Sequence, residues 1–239
     1  VASEESGRVI QAPPDIGTAV SDGQVLAKMD DELLRIELTT AKAAVRRAEA
    51  DLAEREAELA LARRNAQRLK ELMANNVAKQ KEVDDAADEA QAAAARLQAA
   101  SALLDSRRSD VNRTEYRLEQ LTIEAPFAAA VVSKHTEVGQ WLNPGAPVAE
   151  VIAIDPVDAV LNVPETMLPH LAREAKFTLH IDALDATREG VVYRVVPEGD
   201  RQARTFPVLI RLDNPEHTLK PGMTVRAMLP TGEQAEALT

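Results

Sequence analysis

The sequence predicts an elongated, multidomain α+β protein. In this fold a long antiparallel coiled-coil hairpin of two α-helices interrupts a β-rich repeat and is followed by a small antiparallel β-barrel. Three observations in the 239 residues support this prediction. Residues 25–125 contain neither Gly nor Pro, two β-rich half-motifs repeat on either side of that stretch, and short β-rich runs alternate with turns from residue 155 onward.

Residues 31–122 are predicted to form the helical hairpin. The stretch is rich in Ala, Leu, Arg, Glu, Gln and Lys, which are strong helix formers. Its stripe residues recur at alternating spacings of three and four, as in the a and d positions of a heptad repeat. The first stripe is Leu38, Ala41, Val45, Ala48, Leu52, Arg55, Leu59, Ala62, Ala66, Leu69 and Met73. The second is Val83, Ala86, Ala90, Ala93, Leu97, Ala100, Leu104, Arg107, Val111, Thr114, Leu118 and Leu121.

The two stripes are interrupted at residues 74–79, the predicted tip of the hairpin. The paired Asn75 and Asn76 favour a local turn and tolerate a left-handed backbone, so the two runs must fold back on each other. At a rise of 1.5 Å per residue, an arm of about 40 residues reaches roughly 60 Å. The hairpin is therefore expected to project from the rest of the molecule.

Two arginines, Arg55 and Arg107, fall at d positions in the middle of their helices. A polar group at a core position can fix the register of a coiled coil at a cost in stability. Alternatively, the long stems extend outward from the seam, and the guanidinium groups pair with carboxylates such as Glu56, Glu58 or Asp105. We favour the second interpretation.

The segments that flank the hairpin, residues 1–30 and 123–154, are predicted to be two halves of one domain. Gly17 and Gly23 bracket five residues in the first half, and Gly139 and Gly145 bracket five residues in the second. A constant offset of 122 residues superposes Val9-Ile10 on Val131-Val132, Val20 on Leu142, Leu26 on Val148 and Ala27 on Ala149. Such a repeat predicts two similar halves that pack together.

Residues 155–230 are predicted to form the β-barrel. β-rich runs at residues 157–163, 177–181, 191–196, 205–212 and 224–229 alternate with turns that contain Pro or Gly, and residues 164–171 suit a short helix. Several short strands at this spacing favour a small antiparallel barrel or sandwich. The polar residues 231–239 are predicted to be a frayed tail.

The composition excludes several classes of function. The chain has no Cys, which excludes disulfides, thiolate catalysis and Cys-ligated metals. The net charge is −11 without a basic patch, so nucleic acid is not an expected partner. No apolar run approaches 18 residues, and the four histidines lack metal-ligand spacing. Because no catalytic triad, phosphate loop or carboxylate pair is present, we expect no enzymatic activity, no metal and no cofactor.

The order of the segments resembles a known family. The two halves around the hairpin resemble the biotinyl/lipoyl fold, and together with the hairpin and barrel they are similar to the periplasmic adaptor proteins. These are the membrane fusion proteins, HlyD-like or RND adaptors, of tripartite efflux pumps in Gram-negative bacteria. The matching stretches are Thr122-Ile123-Glu124-Ala125-Pro126-Phe127, Arg204-Thr205-Phe206-Pro207-Val208 with Asn214-Pro215, and Leu219-Lys220-Pro221-Gly222-Met223-Thr224-Val225. The sequence departs from the family at Ala128-Ala129, where Asp-Gly is usual.

The resemblance implies that the hairpin tip binds a partner. In the family, an Arg, a Leu four residues later and a Ser seven residues after that contact the outer-membrane channel. Arg68 and Leu72 match the first two positions, and Lys79 stands where Ser is usual. The candidate site is therefore Arg68, Leu72, Asn75, Asn76, Val77 and Lys79. Because Lys79 adds a charge where a small hydroxyl is expected, the choice of channel is expected to differ.

The resemblance further implies a non-enzymatic periplasmic adaptor that links an inner-membrane RND-type exporter to a TolC-like outer-membrane channel and contributes to the export of drugs or other small molecules. It implies self-association into a hexameric ring and an anchor to the inner membrane that precedes the first residue. A membrane-proximal domain after the barrel is expected to be missing or truncated. An ABC-type exporter or a type I secretion system is the alternative to the RND-type partner.

Two other classes of function are weighed against the adaptor. Ala27-Lys28-Met29 resembles the signature of a lipoyl or biotin carrier, in which Lys28 would hold the prosthetic group, but here the hairpin replaces the tight turn of a carrier. A coiled-coil dimerisation protein would account for the hairpin and leave the repeat and the barrel without a purpose. We therefore favour the adaptor.

Overall fold

The structure is a computed structural model that describes residues 1–171 and 175–227. Within these residues the chain forms two long α-helices, twelve strands and two short 3-10 helices. The strands are β1 (Gly7–Gln11), β2 (Ala19–Val20), β3 (Val25–Met29), β4 (Thr122–Glu124), β5 (Ala129–Lys134), β6 (Trp141–Leu142), β7 (Ala149–Ile152), β8 (Val157–Pro164), β9 (Lys176–Ile181), β10 (Ala186–Val195), β11 (Thr205–Leu212) and β12 (Val225–Ala227). The helices are α1 (Glu32–Ala74) and α2 (Gln80–Glu119), with 3-10 turns at Glu165–His170 and Asp182–Leu184.

The two long helices pair as the predicted antiparallel hairpin. α1 has 43 residues and α2 has 40, which correspond to lengths of roughly 65 and 60 Å. Every predicted stripe position except Arg107 is buried or half-buried, which confirms the heptad seam. Ala86, Ala93 and Ala100 are among the buried d positions of α2. Their small side chains let the two helices approach closely.

Ion pairs between the helices define the register of the hairpin. Lys42 Nζ lies 2.8 Å from Glu115 Oε1, and the Arg108 guanidinium lies 3.3 Å from Glu49 Oε1. Both pairs place residue i of α1 level with residue 157 − i of α2. Such exposed pairs contribute about 1 kcal/mol or less each, so the buried seam supplies most of the stability.

The two arginines at d positions turn their guanidinium groups away from the seam. Arg55 lies 2.9 Å from Glu58 and 3.4 Å from Asp51, which confirms the favoured interpretation and its predicted partner Glu58. Arg107 pairs with Asp110 at 3.4 Å instead of Asp105. Side chains three residues apart share a helix face, whereas those two residues apart do not.

Strand pairing confirms the repeat with its offset of 122 residues. The equivalent pairs are Val9–Met29 and Val131–Val151, Gln11–Lys28 and Ser133–Glu150, and Gly7–Leu142 and Ala129–Val20. The short strand of each half pairs with the long strand of the other half, β2 with β5 and β6 with β1. Because each half contributes a strand to the other's sheet, the hairpin can interrupt the chain without separating the halves.

The root of the hairpin is built into the core of these sheets. The sheets have the strand orders β4-β3-β1-β6 and β2-β5-β7. Leu34 in the first turn of α1 and Leu121 just after α2 are buried in the same core as Val9 and Met29. The arm is therefore fixed to the body by apolar packing at both of its ends.

The second β-domain is a five-stranded antiparallel sheet in the order β12-β9-β10-β11-β8. In the described residues its end strands, β12 and β8, face each other across a cleft of about 360 Å³, so the barrel is nearly closed. The strand predicted at residues 191–196 begins earlier, at Ala186. Gly190 lies within β10 because Ile210 packs over it, and a Cβ at this position would lie 2.5 Å from Ile210 Cγ2.

The predicted fold class is confirmed: the protein is an α+β molecule with a long helical hairpin, interlocked β-sheets and a nearly closed barrel. The short helix predicted at residues 164–171 is a 3-10 helix. The end of the last predicted strand, residues 228–229, and the tail at 231–239 lie outside the described residues. The domain limits at residues 30, 122, 154 and 230 stay a prediction.

Candidate functional site

The tip of the hairpin is a turn of five residues, 75–79. Asn76 has a φ of 57°, which confirms the left-handed backbone predicted from the paired asparagines. The Asn76 N–H donates to the Met73 carbonyl and the Val77 N–H donates to the Leu72 carbonyl, each at 2.9 Å. This is the Schellman pattern, with Asn at the position that usually holds Gly. The turn is thus closed by the end of α1 itself.

Lys79 is the N-cap residue of α2. Its N–H donates to Glu82 Oε2 at 3.0 Å, and the Glu82 N–H donates to the Lys79 carbonyl at 3.0 Å. An ammonium group has no lone pair, so the Lys79 side chain cannot accept a bond from the first turn as a Ser or Asp would. One half of a capping box is therefore present. The other half is missing because Lys stands at position 79, where Ser is usual in the family.

We expect Lys79→Ser to stabilise the start of α2, because the hydroxyl would accept the hydrogen bond that Lys79 cannot. A gain of about 1 kcal/mol corresponds to roughly fivefold slower opening. Amide hydrogen exchange of residues 80–84 should slow by that factor. Lys81→Ser removes the same charge at the second residue of α2, which is not the N-cap position. This substitution should not slow the exchange. Equal effects of the two substitutions would show that charge, and not capping, is responsible.

Arg68 and Leu72 lie one turn apart on the same face of α1. The Arg68 guanidinium donates to Asn65 Oδ1 at 2.7 Å and remains exposed. Leu72 is 37% exposed and Val77 is 71% exposed. Asn75 donates through Nδ2 to the Glu71 carbonyl at 3.0 Å.

All six candidate site residues are exposed. The structure brings Leu72, Asn75, Asn76, Val77 and Lys79 together at the turn, and Arg68 lies about 10 Å further down α1. Two cations, two amides and two apolar side chains can bind carbonyl or carboxylate groups around a small apolar contact. This arrangement suits the docking of another protein.

Ion pairs around the root of the hairpin connect it to the β-sheets. The Arg117 guanidinium lies 2.9 Å from Glu5 and 3.8 Å from Glu37, and Arg8 lies 2.8 Å from Asp30. The hydrogen bond from Arg8 lowers the pKa of Asp30. These exposed pairs supplement the apolar packing of the root and so help to orient the tip.

Lys28, the residue of the carrier alternative, and the exposed Trp141 lie in regular strands. Lys28 is inside β3, between Gln11 and Thr122 on the neighbouring strands, and its Nζ lies 3.5 Å from Asp31. A carrier lysine would lie at the tip of a turn. Trp141 in β6 is 63% exposed and pairs with Arg8 of β1.

A polar cluster at Ser133 in the described residues is not arranged as a catalytic triad. Ser133 Oγ lies between His135 Nε2 at 3.0 Å and Glu150 Oε2 at 3.1 Å, so the carboxylate does not orient the imidazole as in a triad. Among residues 1–171 and 175–227, no three His, Asp or Glu side chains are arranged to hold a metal ion. In that same part of the chain, no helix combines the length and apolar character needed to cross a membrane.

Asn214 is a structural residue whose role the sequence did not reveal. It is buried, and its Nδ2 donates to the carbonyls of Ile154 at 2.6 Å and Leu219 at 2.9 Å. Its Oδ1 accepts from the Leu219 N–H at 3.0 Å, and its own N–H donates to Asp155 at 2.8 Å. The Asn214-Pro215 pair was noted only as part of the resemblance. Asn214 therefore links the start of the barrel domain, at Ile154 and Asp155, to the loop that contains Leu219.

Comparison with known proteins agrees with this architecture. The family model described as "CusB-like, beta-barrel domain" matches residues 156–233. The chain is 28% identical over 238 residues to the multidrug resistance protein MdtA of Proteus mirabilis and 26% identical over 241 residues to the nodulation protein NolF of Rhizobium meliloti. MacA of Actinobacillus actinomycetemcomitans superposes with a TM-score of 0.79 at 23% identity, covering 95% of this chain and 72% of that one. The resemblance to the membrane fusion proteins is confirmed.

The solved structure of the membrane fusion protein Spr0693 of Streptococcus pneumoniae has the same fold. Its TM-score is 0.65 at 15% identity, with 96% of both chains covered. The match to MdtA covers 96% of this chain and 54% of MdtA, and the match to NolF covers 100% and 61%. The chain thus spans little more than half the length of these two relatives.

Proposed function

We propose that the chain forms the hairpin, the interlocked β-sheets and the barrel of a non-enzymatic periplasmic adaptor. This adaptor links an inner-membrane exporter to a TolC-like outer-membrane channel. The observation that supports this most is the hairpin itself. An arm of roughly 60 Å ends in six exposed residues, while its root is buried in the core of interlocked sheets. Such an arm can carry a binding surface far from the body.

An exporter of the RND class is the proposed inner-membrane partner. The supporting observation is the barrel, because residues 156–233 match the CusB-like β-barrel domain of the RND group. The exported compounds are proposed to be drugs or other small molecules, in line with the name of the relative MdtA. An ABC-type exporter or a type I secretion system is the alternative partner.

Self-association is part of the proposal. Two helices offer each other one seam, and large apolar side chains such as Leu61, at 63% exposed, and Leu103, at 44% exposed, lie outside it. Neighbouring hairpins in a ring would cover them. We propose the hexameric ring of the family, with the tips at one end facing the channel.

Crosslinking in intact cells, followed by purification of the full-length protein, tests the partners. We expect an RND-type exporter and an outer-membrane channel of the TolC type to be recovered together with it. Recovery of an ABC-type exporter in place of the RND protein would correct the class of partner. If neither an exporter nor a channel is recovered, the adaptor function is contradicted.

Mass spectrometry of the native protein separates the adaptor from the carrier alternative. We expect Lys28 without a covalent adduct. A lipoyl or biotinyl group on Lys28 would support the carrier, although the position of Lys28 inside β3 disfavours it.

A further inference from the structure

Charge is divided between the two helices of the hairpin near its tip. We define the distal arm as residues 59–74 of α1 and 80–95 of α2, each of which spans about 24 Å. The α1 part has one carboxylate, Glu71, and four cations, Arg63, Arg64, Arg68 and Lys70. The α2 part has one cation, Lys81, and five carboxylates, Glu82, Asp84, Asp85, Asp88 and Glu89. One side of the distal arm is therefore basic and the other is acidic.

The charges of the distal arm face solvent and do not neutralise each other. All of these side chains are exposed. In the described residues, no ion pair joins the α1 part of the distal arm to its α2 part, and Glu89 pairs with Arg96 of its own helix at 2.9 Å. Nearer the root, two ion pairs do cross between the helices, at 2.8 and 3.3 Å. The basic and the acidic side are thus open to the charges of another molecule.

The helix dipoles account for little of this division. A dipole favours cations at the end of a helix and carboxylates at its start, and its effect falls off within one turn. The last turn of α1 contains no cation, and the first turn of α2 contains one carboxylate, Glu82. The other charges of the expected sign lie about one to three turns further from the tip. A pattern that extends beyond the reach of the dipoles requires another cause.

The division of charge is confined to the distal arm. Residues 32–58 of α1 contain five cations and seven carboxylates, and residues 96–119 of α2 contain five cations and four carboxylates. Towards the root, α1 is therefore the more acidic helix, which is the reverse of the distal arm. A neighbouring copy of the hairpin would lie alongside the whole arm, whereas a partner that docks at the tip contacts its last turns. The confinement favours a partner at the tip.

We propose that the distal arm binds a protein surface of complementary charge, which places acidic side chains against α1 and basic side chains against α2. This inference rests on the proposed adaptor function, in which the partner at the tip is the outer-membrane channel, and it specifies the chemistry of the channel surface. Complementary charges speed association and suppress wrong partners, because like charges meet when the arrangements do not match. The two charged sides thus select the channel and fix its orientation on the tip.

Reversal of both sides at once tests the arrangement without a change of net charge. The swap variant combines Arg63→Glu and Lys70→Glu on α1 with Asp84→Lys and Asp88→Lys on α2. All four positions are exposed, so circular dichroism should show the helix content of the wild type. The full-length protein is tested by surface plasmon resonance against the purified channel that crosslinking recovers with the wild type. At about 0.05 M salt we expect the swap variant to associate at least roughly tenfold more slowly, and at about 0.5 M the difference should shrink because salt screens exposed charges.

A second variant distinguishes the channel from a neighbouring copy. Two copies of the swap variant still present charges of opposite sign on α1 and α2, so any pairing between copies keeps its complementarity. Arg63→Glu with Lys70→Glu alone removes this complementarity. We expect both variants to associate slowly with the channel. If the swap restores the association that the α1 substitutions alone reduce, the charges pair between copies and the proposal is overturned.

Arg46→Glu with Arg47→Glu is the matched control. It makes the same change of charge at exposed positions of α1 that lie about 30 Å closer to the root, beyond the distance over which salt leaves charges unscreened. The association rate should change by less than about threefold. Equal slowing in this control would show that total charge, and not the distal arrangement, is responsible, and would also overturn the proposal.

The wild-type protein separates this inference from the adaptor function. If the wild type recovers and binds no channel, the adaptor function fails, and this inference fails with it. If the wild type binds the channel and the swap variant binds it equally fast, the charge arrangement is rejected and the adaptor function stands.

Discussion

Arg68→Asp is expected to abolish export while the protein stays folded. The Arg68 guanidinium is exposed on the last turns of α1 and donates to Asn65 Oδ1, so its other N–H groups point to solvent and can bind a partner. Reversing a charge that bonds across an interface costs about 2–5 kcal/mol. Channel binding should therefore weaken at least roughly 30-fold. The measurement is the minimum inhibitory concentration of an exported drug, together with recovery of the channel after crosslinking.

Arg47→Asp is the matched control for this substitution. Arg47 occupies the same heptad position three repeats earlier, about 31 Å closer to the root, and is also exposed. We expect export to persist in this variant, and circular dichroism to show the same helix content in both. If Arg47→Asp abolishes export equally, charge along the whole flank matters and the tip assignment is wrong.

Asn214→Ala is expected to destabilise the barrel by about 3 kcal/mol. The substitution leaves the carbonyls of Ile154 and Leu219 and the N–H of Leu219 without their partner. Each buried group left unpaired costs about 1–3 kcal/mol, part of which water can recover. The loss corresponds to about a hundredfold increase in the population of the opened barrel.

Amide hydrogen exchange in β8 and β11 measures this effect locally, which is preferable to a single melting temperature for a protein with several domains. Asn162→Ala makes the same chemical change at an exposed position of β8 and should alter exchange by less than about threefold. If the two variants behave alike, the hydrogen bonds of Asn214 do not stabilise the barrel. Exchange within the hairpin should be unaffected by either substitution.

The predictions that the structure confirmed rest on patterns that repeat along the chain. The heptad seam, the turn at Asn76 and the offset of 122 residues are all visible in the order of residue types, because periodic burial and left-handed turns select particular residues. The candidate site at the tip follows from the resemblance together with the length of the arm. Its exposed residues lie where the turn predicts, and their role awaits the Arg68→Asp experiment.

Errors arose where neighbours in space decided the outcome. Gly190 signals a turn in the sequence, yet it lies within β10 because Ile210 of the adjacent strand needs the space that a side chain would occupy. The partner of Arg107 differed for a local reason: Asp110, three residues away, shares a helix face with Arg107, whereas Asp105, two residues away, does not.

The sequence by itself thus determined that this protein has a long two-helix arm, a repeated β-domain interrupted by it and a barrel beyond. These features come from local propensity and from periodicity, which act over a few residues at a time. The tertiary structure alone decided that the halves exchange strands and that Asn214 joins segments 60 residues apart. Those contacts depend on which distant segments pair and in what register. The order of residue types along the chain does not show this pairing by itself.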